Sequence, residues 1–385
     1  MKRLALFLDG TWNDPVDSTN VHTLHEQVSA VGPGGVEQRT KYLAGVGTKW
    51  TERVRGGAVG YGLSGIVMKG YDWLVDNYDD GDEIYIFGFS RGAFTARSVA
   101  GLVAKCGLRR RGSTTMDTEA IYARYKRGKE LPALQDILFR QEHKGYVPTA
   151  EEQALIDSSR RVEIMMIGVW DTVGALGVPW TEAPWFGPKD FYFHSTQMSV
   201  LYRHAFHAMA IDEHRGAYAP TLWTRFTPDA ADRNPSSAIP VERVEQRWFV
   251  GAHSNVGGGY TDDTLCRFPL AWLQRKAAGL GLAFDTTFAP TDADFDIEPV
   301  DSYAKFMRGL YRVIRFGRRF YRPIGADERV VRNGRSMPIN EFIDASVFRR
   351  CQAKPEYRPD NLVEWAKRRG VDLTKAVPAD GVSAT

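Results

Sequence analysis

Hydrophobic residues along this chain gather in short, largely apolar runs, separated by longer stretches with helical spacing. The runs Arg3 to Leu8, Glu83 to Phe87, Val162 to Val169 and Gln246 to Gly251 show little polar alternation, and Lys41 to Ala44 adds a shorter one. Such runs fit strands buried on both faces of a mostly parallel sheet. Between and after them, helical patterns cover Val21 to Val31, Val59 to Asn77, Ala93 to Lys105, Asp117 to Arg127, Leu201 to Ile211 and Leu265 to Ala278. Strands alternating with helices predict an α/β fold. The expectation is one domain over residues 1–370, with cap insertions near 108–161 and 176–200. The glycine-rich segment Gly56 to Gly70 fits either close helix packing or a mobile piece, and the small-residue tail from Val371 to Thr385 is expected to fray.

Composition narrows the classes without choosing among them. The 385 residues are 43% hydrophobic and 25% charged, as in an ordinary globular protein. A net charge of +3 gives no argument for a nucleic-acid partner. The three cysteines, Cys106, Cys266 and Cys351, lie far apart, which fits reduced thiols better than a disulfide framework or a zinc site. Met1 to Asp9 has a basic start, but its apolar run is too short for a secretory signal and reads as a first strand. No apolar stretch approaches the ~20 residues that span a bilayer. The expected location is the cytoplasm where the chain is made, with export only by a signal-independent route.

Candidate chemistry concentrates at Glu83 to Ala93, EIYIFGFSRGA. The pattern Gly88-Phe89-Ser90-Arg91-Gly92 stands between a strand pattern and a helix pattern, the context a nucleophile elbow requires. Glycines flank the serine because the turn is strained and its backbone segments pass close together. The helix that follows puts its positive end beneath Ser90. Chance occurrences of this five-residue pattern are common, so its weight depends on partners elsewhere in the chain.

A serine nucleophile needs a base within hydrogen-bond reach and a group that orients the base. Of the eight histidines, His253 alone directly follows a strongly apolar strand pattern, and it opens the glycine-rich loop Ser254 to Tyr260. His204 and His207, three apart on a helical pattern, fit packing or surface roles. For the orienting acid, Asp171 ends the run Ile164 to Trp170 and lies between Ser90 and His253 in sequence. It could instead cap a turn, and Asp212 and Asp262 compete for the role. The oxyanion requires two backbone donors. Arg91 N–H is the natural first, and Gly10 or Thr11, after the first strand, supplies a second. No cofactor or metal is required. Asp9 then buttresses the turn. The alternative makes Asp9 the nucleophile of a metal-dependent phosphatase, but such enzymes place a second acid two residues on, where Thr11 stands. A non-catalytic interaction protein built on the same fold is the third class.

Together, FLDGTWND (Phe7 to Asp14), YLAGVGT (Tyr42 to Thr48), GFSRGAFTAR (Gly88 to Arg97), GVWDTVGALG (Gly168 to Gly177), AMAIDEHR (Ala208 to Arg215) and WFVGAHSNVGGGY (Trp248 to Tyr260) resemble the catalytic-domain family of type VI secretion phospholipase effectors. The resemblance runs from Lys2 to Leu273 and implies an α/β-hydrolase fold with helical cap insertions. It also implies lipase- or phospholipase-type ester hydrolysis, with Ser90, Asp171 and His253 at the triad positions. A lipid or small ester substrate and a secretion or immunity partner follow from the same resemblance. The family often carries Asp where Ser254 or Asn255 stands here, so a polar contact near the base differs.

Two further segments bear on lipid. Lys305 to Arg322 holds seven basic residues and no acidic one, mostly at spacings of three or four. On a helix they form one basic face, suited to anionic membrane or simply to solvent. Trp180, Trp185, Phe186, Phe191, Tyr192 and Phe193 could line an acyl-chain wall or form ordinary core.

Overall fold

The computed structural model describes residues 1–10, 18–45, 58–174, 199–228, 239–305, 311–312, 316–325, 329–331 and 334–384. Its strands are, in chain order, β1 (Arg3–Leu8), β2 (Val31–Gly32), β3 (Val36–Leu43), β4 (Glu83–Phe89), β5 (Leu108–Arg109), β6 (Ser159–Arg160) and β7 (Ile164–Trp170). Then come β8 (Tyr202–Ala210), β9 (Thr224–Pro228), β10 (Val244–Phe249), β11 (Arg329–Val331), β12 (Gly334–Pro338), β13 (Glu341–Ile343) and β14 (Val382–Ser383). Nine of these form a central sheet in the order β14-β13-β10-β8-β7-β4-β1-β3-β2. Every pairing from β13 across to β3 is parallel, and the edge strands β14 and β2 are antiparallel. The fold is therefore α/β, with a mostly parallel sheet flanked by helices.

Among the described residues the α-helices through residue 279 are α1 (Asn20–Glu26), α2 (Ala58–Asn77), α3 (Arg91–Cys106), α4 (Thr118–Lys126), α5 (Leu134–Lys144), α6 (Ala150–Ser158), α7 (His253–Gly257) and α8 (Arg267–Gly279). Alternation along β1 sends Leu4, Leu6 and Leu8 toward α2 and α3, and Ala5 and Phe7 toward α1 and α8. Both faces are thus covered, which is why the strands read as apolar runs. A third core cluster gathers Trp248, Ile343, Phe348 and Trp365 at the β13 edge.

The chain steps from β1 to β3 on one side, then crosses to β4 on the other and moves outward through β7, β8, β10 and β13. Strand order thus reverses between β1 and β4. Open α/β sheets bind ligands at such a switch point, outside the carboxyl ends of the strands. Asp9 and Ser90 stand at those two ends.

Two expectations are corrected, at Leu201 to Ile211 and at the tail. Leu201 to Ile211, with a helical pattern, is strand β8, paired in parallel with both β7 and β10. The 108–161 interval, expected as a cap, has helices that pack against α3. Its Tyr125 abuts Gly101, and Cys106 Sγ meets the Ile121 carbonyl at 3.8 Å, both on the half of α3 remote from Ser90. The tail does not fray: β14 pairs with β13, Ala384 is fully buried, and Trp365 Nε1 donates to its carbonyl at 3.0 Å. The 176–200 aromatic segment lies outside the described residues except at its end. Among the described residues no helix is long and apolar enough to cross a membrane.

Candidate active site

Ser90 sits between β4 and α3 with φ 58° and ψ −123°, a conformation rare for a residue with a side chain. Close approach of backbone on both sides enforces it. A Cβ at Gly92 would lie 2.2 Å from the Leu8 carbonyl oxygen and 2.4 Å from that of Asp9, and one at Gly88 would lie 2.6 Å from the Gly92 carbonyl oxygen. Only glycine lets α3 start this close to the end of β1. The Ser90 amide donates to the Trp170 carbonyl at 3.0 Å, tying the turn to β7. Strained residues of this kind persist where the surroundings over-determine them, as at nucleophile elbows.

The register Phe89↔Trp170 leaves Ser90 and Asp171 at neighbouring strand ends. His253 opens α7 two strands further across, after β10. The glycine-rich loop has a specific use here: a Cβ at Gly257 would fall 2.0 Å from the Phe89 ring, so glycine lets α7 lie against the residue preceding Ser90. His253 Nε2 then accepts from Ser90 Oγ at 2.8 Å, and its Nδ1–H donates to Asp171 Oδ2 at 2.5 Å. The carboxylate on Nδ1 sets this tautomer. Phe89 and Tyr218 rings pack against the imidazole at centroid distances of 4.7 and 5.0 Å.

Electrostatics match that geometry. Burial pushes the His253 pKa down more strongly than Asp171 pulls it up, so the resting imidazole is neutral at pH 7. Burial alone would raise the Asp171 carboxyl. The Arg322 charge and the His253 hydrogen bond outweigh it, holding the group well below the usual carboxylate range. Arg322 Nη1 and Nη2 donate to Asp171 Oδ1 and Oδ2 at 2.6 and 2.9 Å, and both residues are fully buried. A second buried pair lies alongside. Arg215 Nε and Nη2 donate to the two oxygens of Glu213 at 2.8 and 2.7 Å, and Glu213 Oε2 also accepts from the His253 amide at 3.3 Å.

The other candidates fall elsewhere. Asp212 accepts from the Gly251 amide at 2.7 Å and from Tyr357 Oη at 2.8 Å, bracing the turn before His253 rather than meeting its ring. Asp262 is exposed on the loop beyond. Arg91 N–H stands at the first position of α3. The Gly10 amide donates to Asp9 Oδ1 at 2.6 Å, and Thr11 lies outside the described residues. Both Asp9 oxygens are engaged, since Oδ2 accepts from Thr19 Oγ1 at 2.5 Å and from Tyr42 Oη at 2.7 Å. That occupancy suits a buttress and leaves the carboxylate poorly presented as a nucleophile. His207, read as a helix-face residue, is a buried strand residue whose Nε2 accepts from the Thr172 amide at 3.0 Å.

Sequence reasoning missed Arg322, counting it among the basic residues of one helical face. Phe316 and Gly317, with φ 50° and 72°, break the segment, and the chain past them is not helical. Arg319 pairs with Asp301 at 2.5 Å, while Arg322 turns inward. A signal was available: Pro323 follows Arg322 directly and disfavours helix at the preceding residue.

Comparison with known proteins adds the family. Uncharacterized protein YEL023C of Saccharomyces cerevisiae is 30% identical over 168 residues, covering 43% of this chain and 22% of that protein. A structure of the Tle1 effector bound to the VgrG spike from the type 6 secretion system overlaps 68% of this chain and 51% of its own, at 16% identity and a TM-score of 0.34. An uncharacterised protein from Pseudomonas aeruginosa overlaps 79% and 49% at 16% identity, with a TM-score of 0.42. The chain thus spans about a fifth of that curated relative and about half of each solved one. Residues 2–276 match the family described as "T6SS, Phospholipase effector Tle1-like, catalytic domain", and the chain belongs to it.

Proposed function

We propose that this protein is a serine ester hydrolase of the lipase or phospholipase type, with Ser90 as nucleophile, His253 as base and Asp171 as orienting acid. The observation that carries the reading is the hydrogen-bonded chain Ser90–His253–Asp171 at 2.8 and 2.5 Å, assembled from three strand ends onto a strained elbow. Ser90 Oγ attacks the ester carbonyl while His253 Nε2 takes its proton. Asp171 stabilises the imidazolium that forms. The Arg91 amide stabilises the oxyanion, with the Thr11 amide as the second donor because that of Gly10 donates to Asp9 Oδ1. As the tetrahedral intermediate collapses, His253 returns the proton to the departing alkoxide. A water then attacks the acyl-enzyme, giving its proton to His253, and the acid leaves with Ser90 restored.

Membership in a family described by phospholipase effectors supports a lipid substrate and an export or immunity partner. Peripheral contact with an anionic membrane is supported by Phe316, 91% exposed, beside exposed Arg312 and Arg318. The test is acid release from anionic and neutral phospholipid vesicles, set beside hydrolysis of p-nitrophenyl butyrate. Phospholipid turnover that vanishes in Ser90→Ala supports the reading. Hydrolysis of the soluble ester alone would leave an esterase without the lipid assignment, and hydrolysis retained in Ser90→Ala would end the proposal.

A further inference from the structure

We infer that Arg322 is a positioning residue for the proposed relay: its bidentate grip fixes the plane of the Asp171 carboxylate so that Oδ2 faces His253 Nδ1. The inference rests on the serine-hydrolase reading and deepens it. Each Asp171 oxygen is held twice. Oδ1 accepts from Arg322 Nη1 at 2.6 Å and from the Ala210 amide at 3.0 Å, while Oδ2 accepts from Arg322 Nη2 at 2.9 Å and from His253 Nδ1 at 2.5 Å. With both oxygens fixed, the carboxylate cannot rotate away from the imidazole. The guanidinium is anchored in turn, with Nη1 donating to the Ala210 carbonyl at 2.8 Å and Nη2 to that of Tyr218.

The segment bearing Arg322 is clamped for this purpose. Phe320 N–H donates to the His214 carbonyl at 3.0 Å, Asn361 Nδ2 to the Arg322 carbonyl at 3.1 Å, and Arg368 Nη2 to the Ile324 carbonyl at 2.7 Å. Arg322 lies outside the family match of residues 2–276. The carboxyl-terminal third of the chain thus contributes a group that touches the triad position.

A buried ion pair gives little net stability, because desolvation offsets most of its attraction. Its cost is better explained when the carboxylate involved is the one that orients the base. The groups facing Asp171 and His253 are the cations Arg322 and Arg215, the anion Glu213 and the buried neutral His207. The two guanidiniums balance Asp171 and Glu213, which favours a neutral imidazole in the resting site. Removing Arg322 tips that balance toward protonated His253. A lysine would restore the charge but not the planar fork.

The measurement is the rate of fluorophosphonate labelling at Ser90 as a function of pH, for wild type, Arg322→Lys and Arg322→Gln, with the His253 ring titrated by NMR. Arg322→Lys should label about 10²-fold more slowly, the cost of a small misplacement, with its acid limb unmoved. Arg322→Gln should be at least as slow, with both the acid limb and the His253 titration moved to higher pH. Either folded variant labelling at the wild-type rate, or an Arg322→Gln that loses the same factor at every pH with no movement of the limb, would reduce Arg322 to a structural ion pair. If Arg322→Gln does not fold, Arg322→Lys decides alone, and a wild-type rate overturns the inference. Absence of labelling in wild type would instead sink the hydrolase reading. The His253 titration then still decides, an unmoved midpoint in Arg322→Gln overturning the role of Arg322.

Discussion

Gly92→Ala is the smallest change that should disable the elbow. The added Cβ would lie 2.2 Å from the Leu8 carbonyl oxygen, whereas real Cβ contacts essentially never fall below 3.0 Å. The two segments must therefore separate by at least 0.8 Å. All three atoms it strikes, the Leu8 carbonyl oxygen and the Asp9 carbonyl carbon and oxygen, are backbone, so no side-chain rotation relieves the clash. Forced packing of this kind costs about 1–3 kcal/mol, and a shift near 1 Å at reacting groups costs about 10²-fold in rate. Gly65→Ala in α2 is the control, because nothing lies within 4 Å of its Cβ position. In a helix interior that change should stabilise by about 0.5–1 kcal/mol. The assay pairs thermal unfolding with hydrolysis of p-nitrophenyl butyrate. A Gly92→Ala protein with wild-type midpoint and rate would refute the close approach and the elbow built on it.

Two further outcomes are expected. Asp171→Asn should keep the packing but favour the wrong His253 tautomer, lowering kcat by about 10⁴. Asp212→Asn, at a carboxylate held by the Gly251 amide and Tyr357 Oη, should cost far less, and the reverse order in kcat would move the acid to Asp212. His207 is buried and neutral, with burial, aided by the Arg97 charge, pushing its pKa down to about 3 from 6.5. Between those values the unfolded chain binds the extra proton, so stability falls as pH drops below 6.5, by up to about 1.4 kcal/mol per pH unit. His207→Gln should remove that slope from denaturant titrations at pH 7, 6 and 5, and an unchanged slope would count against the buried neutral ring.

Much of the catalytic end was legible because its chemistry is local. A strand run, a GxSxG turn and a helix start are contiguous in sequence, and Asp171 and His253 each directly follow an apolar run. Parallel strands covered on both faces announce themselves by lacking alternation, which is why β1, β4, β7 and β10 were visible. Strand β8 failed that test for a physical reason. Its residues YRHAFHAMA include good helix formers, and its apolar positions also recur at helical spacing. Pairing between β7 and β10 overrides that preference. Arg322 was hidden because an arginine's burial depends on a partner far away in sequence, and neighbouring arginines at helical spacing suggested solvent. The two-residue strand β14 is too short to carry any pattern.

The most direct test of the Ser90–His253–Asp171 relay is the site of covalent modification by a fluorophosphonate, read by peptide mass spectrometry on the intact chain at pH 7.5. The relay predicts one adduct on Ser90, absent from Ser90→Ala and strongly slowed in Asp171→Asn and His253→Ala. Absence of an adduct on Ser90 in folded wild-type protein, or labelling undiminished when His253 is removed, would contradict it.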